Sequence, residues 1–150
     1  MSEPNTVEIL LVEDNPQDLE LTLLAFRNAN LTNRIQVARD GVEALDYVFC
    51  EGAHLGRKIE DWPKVILLDL KLPKVDGLQV LKRIKEDPRT SSIPVVILTS
   101  SKEQSDLIDS YNLGVNSYIV KPVNFERFLS AVQDLGMYWL LLNEPLKVQR

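Results

Sequence analysis

Val65-Ile66-Leu67-Leu68-Asp69-Leu70-Lys71-Leu72-Pro73 is the stretch from which the rest of the chain can be read. Four apolar residues follow one another without a polar break and end on a carboxylate. The run has strand length. A strand apolar at every position, not at alternate ones, has both faces covered, as in a parallel sheet. Working outward, Ile9-Leu10-Leu11-Val12 and Val95-Val96-Ile97-Leu98 repeat the pattern, and Ile35-Gln36-Val37-Ala38 and Tyr118-Ile119-Val120 are weaker versions of it.

Helical spacing fills the intervals. Asn15-Pro16 reads as an N-cap with proline at the first helical position, ahead of Leu19, Leu23 and Phe26. Asp40 and Glu43 have the spacing of a capping box before Ala44, Leu45 and Val48. Leu78, Leu81 and Ile84 predict a third helix that stops near Asp87-Pro88. Leu107, Ile108 and Tyr111 predict a fourth, and Phe125, Phe128, Leu129, Val132 and Leu135 a fifth. Strand and helix alternate throughout, so the expected fold is α/β, a doubly wound five-stranded parallel sheet with helices on both faces. The segment from Gly52 to Pro63 is long for a helix-to-strand loop and is expected to form a surface flap or a short helical turn.

With 150 residues, the chain is expected to be a single domain, its core at about 7–135 and an extension at about 136–150. The acidic, polar start, Met1 to Glu8, does not have a signal-peptide layout, and the longest fully apolar tail run is Met137 to Leu142. Neither suits a membrane, so a cytoplasmic location is expected. Cys50 is the only cysteine, which excludes an internal disulfide, and His54 is the only histidine. A net charge of -5 argues against direct nucleic-acid binding.

The chemistry sits just past the strands, where open parallel sheets bind their ligands. Glu13 and Asp14 follow the first strand, Asp69 the third, Thr99 and Ser100 the fourth, and Lys121-Pro122 the fifth. Asp14 and Asp69 with a backbone carbonyl offer hard oxygen ligands suited to Mg2+, and Glu13 suits a metal-bound water. A carboxylate can also act as a nucleophile toward phosphorus. The charge on the phosphoryl oxygens then calls for Mg2+, an ammonium and a hydroxyl donor, roles that fall to Lys121 and Thr99.

Leu11-Val12-Glu13-Asp14-Asn15, Leu67 to Pro73, Leu98-Thr99-Ser100 and Tyr118-Ile119-Val120-Lys121-Pro122 together resemble the receiver domain of response regulators, across roughly residues 7 to 135. The resemblance implies a flavodoxin-like receiver fold with Asp69 as phosphoacceptor. It implies Glu13, Asp14, Asp69 and the Lys71 backbone carbonyl as the metal site. It further implies phosphoryl contacts from Thr99 and Lys121, a switch of Thr99 with Tyr118, and a cis Lys121–Pro122 bond. The Lys71 side chain is expected over the pocket mouth. The long segment before the third strand, Asn116-Ser117-Tyr118 and the Trp139-containing tail are similar to stand-alone regulators paired with phytochrome-type histidine kinases. The partners then expected are a sensor histidine kinase and a downstream protein, with no enzymatic activity beyond the domain's own phosphoryl transfer and hydrolysis.

Other classes fit less well. An Asp-nucleophile hydrolase would need a second acid close behind Asp69, where Leu70 and Lys71 stand. A flavodoxin-type cofactor binder would need a phosphate-cradling loop where Glu13-Asp14-Asn15 stands. An adaptor of receiver shape would not need the pocket residues. Finally, Phe125, Phe128, Val132, Leu135, Trp139 and Leu142 recur at steps of three and four, which predicts a continuous apolar seam and a homodimer formed through it.

Overall fold

The computed structural model describes residues 8–30, 33–72, 75–100, 114–115 and 117–136. Its strands are β1 (Ile9–Val12), β2 (Ile35–Ala38), β3 (Val65–Asp69), β4 (Val95–Thr99) and β5 (Ser117–Val120). The described helices are α1 (Pro16–Asn28), α2 (Gly41–Phe49), α3 (Gly77–Glu86) and α4 (Phe125–Asp134). The helical pattern at Leu107, Ile108 and Tyr111, and the tail from Met137 onward with Trp139 and Leu142, lie outside the described residues.

All strand pairs are parallel, in the order β2-β1-β3-β4-β5. The chain leaves β1 toward one edge, then returns to the other side of β1 at β3, so the winding reverses between these two strands. The carboxyl ends of β1 and β3 therefore border the crevice typical of such sheets.

Side-chain alternation with period two divides each strand between two cores. Leu10, Val12, Ile66, Leu68, Val95 and Ile97 pack with residues of α2 and α3. Ile9, Leu11, Val65, Leu67, Val96 and Leu98 pack with Leu19 and Phe26 of α1 and Phe128, Ala131 and Val132 of α4. Apolar residues at every strand position follow directly from this double cover.

The helix starts follow local side-chain chemistry. Asn15 Oδ1 accepts from the Asp18 N–H at 2.9 Å, and Pro16 occupies the first helical position. Asp40 Oδ1 accepts from the Glu43 N–H at 2.7 Å, while Glu43 Oε1 takes the Arg39 N–H, one residue outside the expected reciprocal bond. A full capping box occurs instead at Asp76 and Gln79, opening α3. Two single 3-10 turns, Gly52–His54 and Ile59–Asp61, occupy the long segment before β3.

The expected dimer seam needs correction along α4. Phe128 and Val132 are 0% exposed, and the Phe128 ring stands 4.8 Å from that of Phe26. Phe125 and Leu135 are partly buried against the same cluster. The apolar spacing from Phe125 to Leu135 is thus the stripe by which α4 covers its own sheet, and the fully buried Phe128 and Val132 are core residues with no surface to offer a second copy.

Candidate functional site

Glu13 follows β1 directly, Asp69 ends β3, and Lys121 follows β5. Cross-strand register links them. Val12 pairs with Leu68, Leu68 with Ile97 and Ile97 with Tyr118, so Glu13 and Asp69 stand one step further along, with Lys121 two steps beyond Ile119 on the same face. From there the lysine stem reaches back. Its Nζ lies 2.9 Å from Glu13 Oε1, 2.9 Å from Asp69 Oδ2 and 3.0 Å from Asp18 Oδ2. An ammonium has three N–H donors, and each has a carboxylate here. The Lys121 N–H also donates to the Thr99 carbonyl at 2.7 Å, and the Lys121–Pro122 bond is cis, as expected.

Glu13 and Asp69 are 1% and 6% exposed. Burial, then its hydrogen bond to Asp69, pushes the Glu13 carboxyl up to about 7, against the opposing pull of Lys121. Burial works against the Lys121 charge too, but Asp69, Glu13 and Asp18 outweigh it and hold the ammonium above its usual range. Asp69 Oδ1 accepts from the Lys71 N–H at 3.2 Å, and Glu13 Oε2 from the Asn15 N–H at 3.2 Å.

The group opens into a cleft of ≈ 260 Å³ lined by Asp14, Asn15, Asp18, Asp69, Lys71, Ser100 and Lys121. Lys71, exposed, is among the residues that line it. Thr99 ends β4 and is 1% exposed, and its hydroxyl has no hydrogen-bond partner among the described residues. A buried hydroxyl without a partner is costly unless a ligand group satisfies it. Tyr118 is half-buried against the α2 and α3 cluster and does not line the cleft.

Asp18 was missed by the sequence reading. It lies at the third position of α1 after its cap, one helical turn past Asp14, so a helix starting at the pocket turns it back toward the strand ends. That spacing was the available signal. Among the described residues no three His, Cys, Asp or Glu side chains form a shared metal cage. Glu13 and Asp69 each turn an oxygen to Lys121 instead. Mg2+ keeps several waters and needs only one or two carboxylates, and Asp14 and Asp69 both line the cleft.

Three carboxylates and two lysines line one cleft, Glu13 backs Lys121, and the buried Thr99 hydroxyl ends the strand next to β3, a set that suits a cation and an anionic group bound together. The family model described as the response regulator receiver domain matches residues 9–133. This chain belongs to the response regulator receiver family. It is 47% identical over 133 residues to a probable methanogenesis regulatory protein, FilR2, of Methanothrix harundinacea, covering 88% of this chain and 83% of that protein. The structure of the bacteriophytochrome response regulator AtBRR is 55% identical with a TM-score of 0.85, covering 94% of this chain and 100% of that one. The phosphorylated cyanobacterial phytochrome response regulator RcpA is 38% identical with a TM-score of 0.71, covering 94% and 99%. The expected receiver fold and the relation to phytochrome response regulators both hold.

Proposed function

We propose that this chain is a phosphorylation-switched response regulator whose Asp69 takes a phosphoryl group from a sensor histidine kinase. The observation that carries the reading is the buried Asp69 carboxylate bound to Lys121 beside a cleft, with the unpartnered Thr99 hydroxyl at the end of the neighbouring strand. An Asp69 oxygen attacks phosphorus, the P–N bond of the phosphohistidine breaks, and the imidazole leaves with the electron pair. Lys121 offsets charge on the phosphoryl oxygens, and the Thr99 hydroxyl donates to one of them, which satisfies its own hydrogen bond. Tyr118 is read as the aromatic that follows Thr99 when this bond forms. Asp14, Asp69 and the Lys71 carbonyl would hold Mg2+, with Glu13 acting through a water. Bound there, the ion would supply positive charge to the phosphoryl group and offset the Asp69 charge that adds to burial in raising the Glu13 ionisation.

The finer reading is a single cytoplasmic receiver domain that catalyses only its own phosphoryl transfer and hydrolysis. Its input is a phytochrome-type kinase, which the 55% identity to AtBRR supports. Its output is contact with another protein and not with nucleic acid, and a homodimer belongs to the same reading. Incubation with a small phosphodonor and Mg2+, or with a phosphorylated bacteriophytochrome kinase, should label wild type on one acyl phosphate and leave Asp69→Asn unlabelled. Equal labelling of both proteins would remove the reading. Labelling by the phosphodonor with none from that kinase would remove only the phytochrome pairing.

A further inference from the structure

We infer that Asp18 is a positioning residue for the phosphoryl-transfer lysine. The inference rests on the phosphoacceptor reading and adds to it a residue from outside the strand ends. Asp18 Oδ2 and Asp69 Oδ2 take separate protons of the same Lys121 ammonium, at 3.0 and 2.9 Å. Glu13 Oε1 takes the third at 2.9 Å.

The three partners differ in what happens when Asp69 is phosphorylated. Its carboxylate becomes an acyl phosphate, loses its charge on the carboxyl oxygens and weakens as an acceptor toward Lys121. Glu13 pulls the ammonium inward, toward the buried ends of β1 and β3. Asp18 is the only one of the three that sits on a helix, and its side chain is 39% exposed at the cleft rim, against 18% for that of Lys121. It pulls outward, toward the side from which a phosphodonor enters. An ammonium held between these two keeps its third proton free for a phosphoryl oxygen at the cleft and does not collapse onto Glu13.

Asp18 itself is rigidly set. Its N–H is held by the Asn15 cap at 2.9 Å, and its carbonyl accepts from the buried Thr22 hydroxyl at 2.9 Å. The carboxylate thus projects from the first turn of α1 with its backbone pinned at both ends. The device links the start of α1 to β5 across 103 residues of sequence.

The test uses the whole chain, phosphoramidate as the phosphodonor, and Mg2+. Asp18→Ala should slow labelling of Asp69 about tenfold, the equivalent of about 1.4 kcal/mol in barrier. The same substitution made in a Lys121→Ala background should change the slower rate less than twofold, because the effect travels through the lysine. The proton–nitrogen spectrum of the lysine ammonium groups gives a second readout. The Lys121 signal, sharp while three acceptors hold it, should broaden in Asp18→Ala with an unchanged melting temperature. Wild-type labelling with an unchanged Asp18→Ala rate, an equal loss in both backgrounds, or an unaltered ammonium signal would each overturn the inference alone. A wild type that takes no label would overturn the phosphoacceptor reading and this inference with it.

Discussion

At Glu13 a carboxyl group 1% exposed lies within hydrogen-bond reach of an ammonium, yet its ionisation is pushed up, not down. Burial and the neighbouring Asp69 favour the protonated form more than Lys121 favours the charged one. The consequence for stability has a definite sign. The folded chain binds this proton at about 7, while the free carboxyl binds it at 4.5, so its stabilising contribution is complete below 4.5 and is lost as pH rises through about 7. In the presence of a chelator, the melting temperature of wild type should fall between about pH 5 and about pH 7.5, and the Glu13→Gln variant should fall less. Added Mg2+ should restore most of the loss at the higher pH, since it binds the ionised site. Parallel curves for the two proteins would show that Glu13 titrates normally.

Elements reach the site through close backbone approaches. The N–H of Gly77, the first residue of α3, donates to the Leu70 carbonyl at 3.1 Å, which ties this helix to the end of β3 beside Asp69. A side chain at Gly77 would press on the Asp69 carbonyl and stand 2.6 Å from the Leu70 Cα, both of them backbone that cannot rotate away. Gly77→Ala should therefore cost about 1–3 kcal/mol in denaturant unfolding and slow Asp69 labelling as the strand end shifts. Wild-type stability together with wild-type labelling would show that the strand end yields without consequence. A different tie holds the long segment before β3. Arg57 donates to the Tyr47 carbonyl and, at 2.7 Å, to the Asp61 carbonyl, with its guanidinium 3.7 Å over the Tyr47 ring. The expected flap is thus fastened to the end of α2. Short helical turns there were foreseeable from its length, but the fastening depends on where α2 happens to end.

Across the whole molecule, α1 and α4 cover one face of the sheet with Phe26 and Phe128 ring to ring. Phe128→Ala should destabilise the fold by about 3–5 kcal/mol, as expected for an aromatic lost from a packed interior. Denaturant unfolding measures this, and a loss below about 1 kcal/mol would return Phe128 to the surface. Self-association has to come from elsewhere. The apolar run from Met137 to Leu142 is expected to supply it, so wild type should sediment as a dimer at tens of micromolar and a Trp139→Ala, Leu142→Ala variant as a monomer. A monomeric wild type at that concentration would remove the homodimer.

Some features depended only on neighbours in sequence. Unbroken apolar runs marked β1, β3 and β4 and weaker ones β2 and β5, each to within a residue, and Asn15, Pro16 and Asp40 marked their helix starts, because caps and doubly covered strands act within a few positions. The order of Glu13, Asp14, Asp69, Thr99 and Lys121 after successive strands was legible for the same reason: a parallel sheet brings all its carboxyl ends to one edge. Other features needed the folded chain. Periodicity shows that a helix has an apolar stripe but not what covers it, so Phe128 and Val132 read equally well as an interface or as the core they form. The spacing from Asp14 could bring Asp18 to the strand ends, but not show that the Lys121 stem, 103 residues away, would reach it as a third acceptor. Those outcomes were decided by helix rotation and side-chain reach, which are set only when the layers pack.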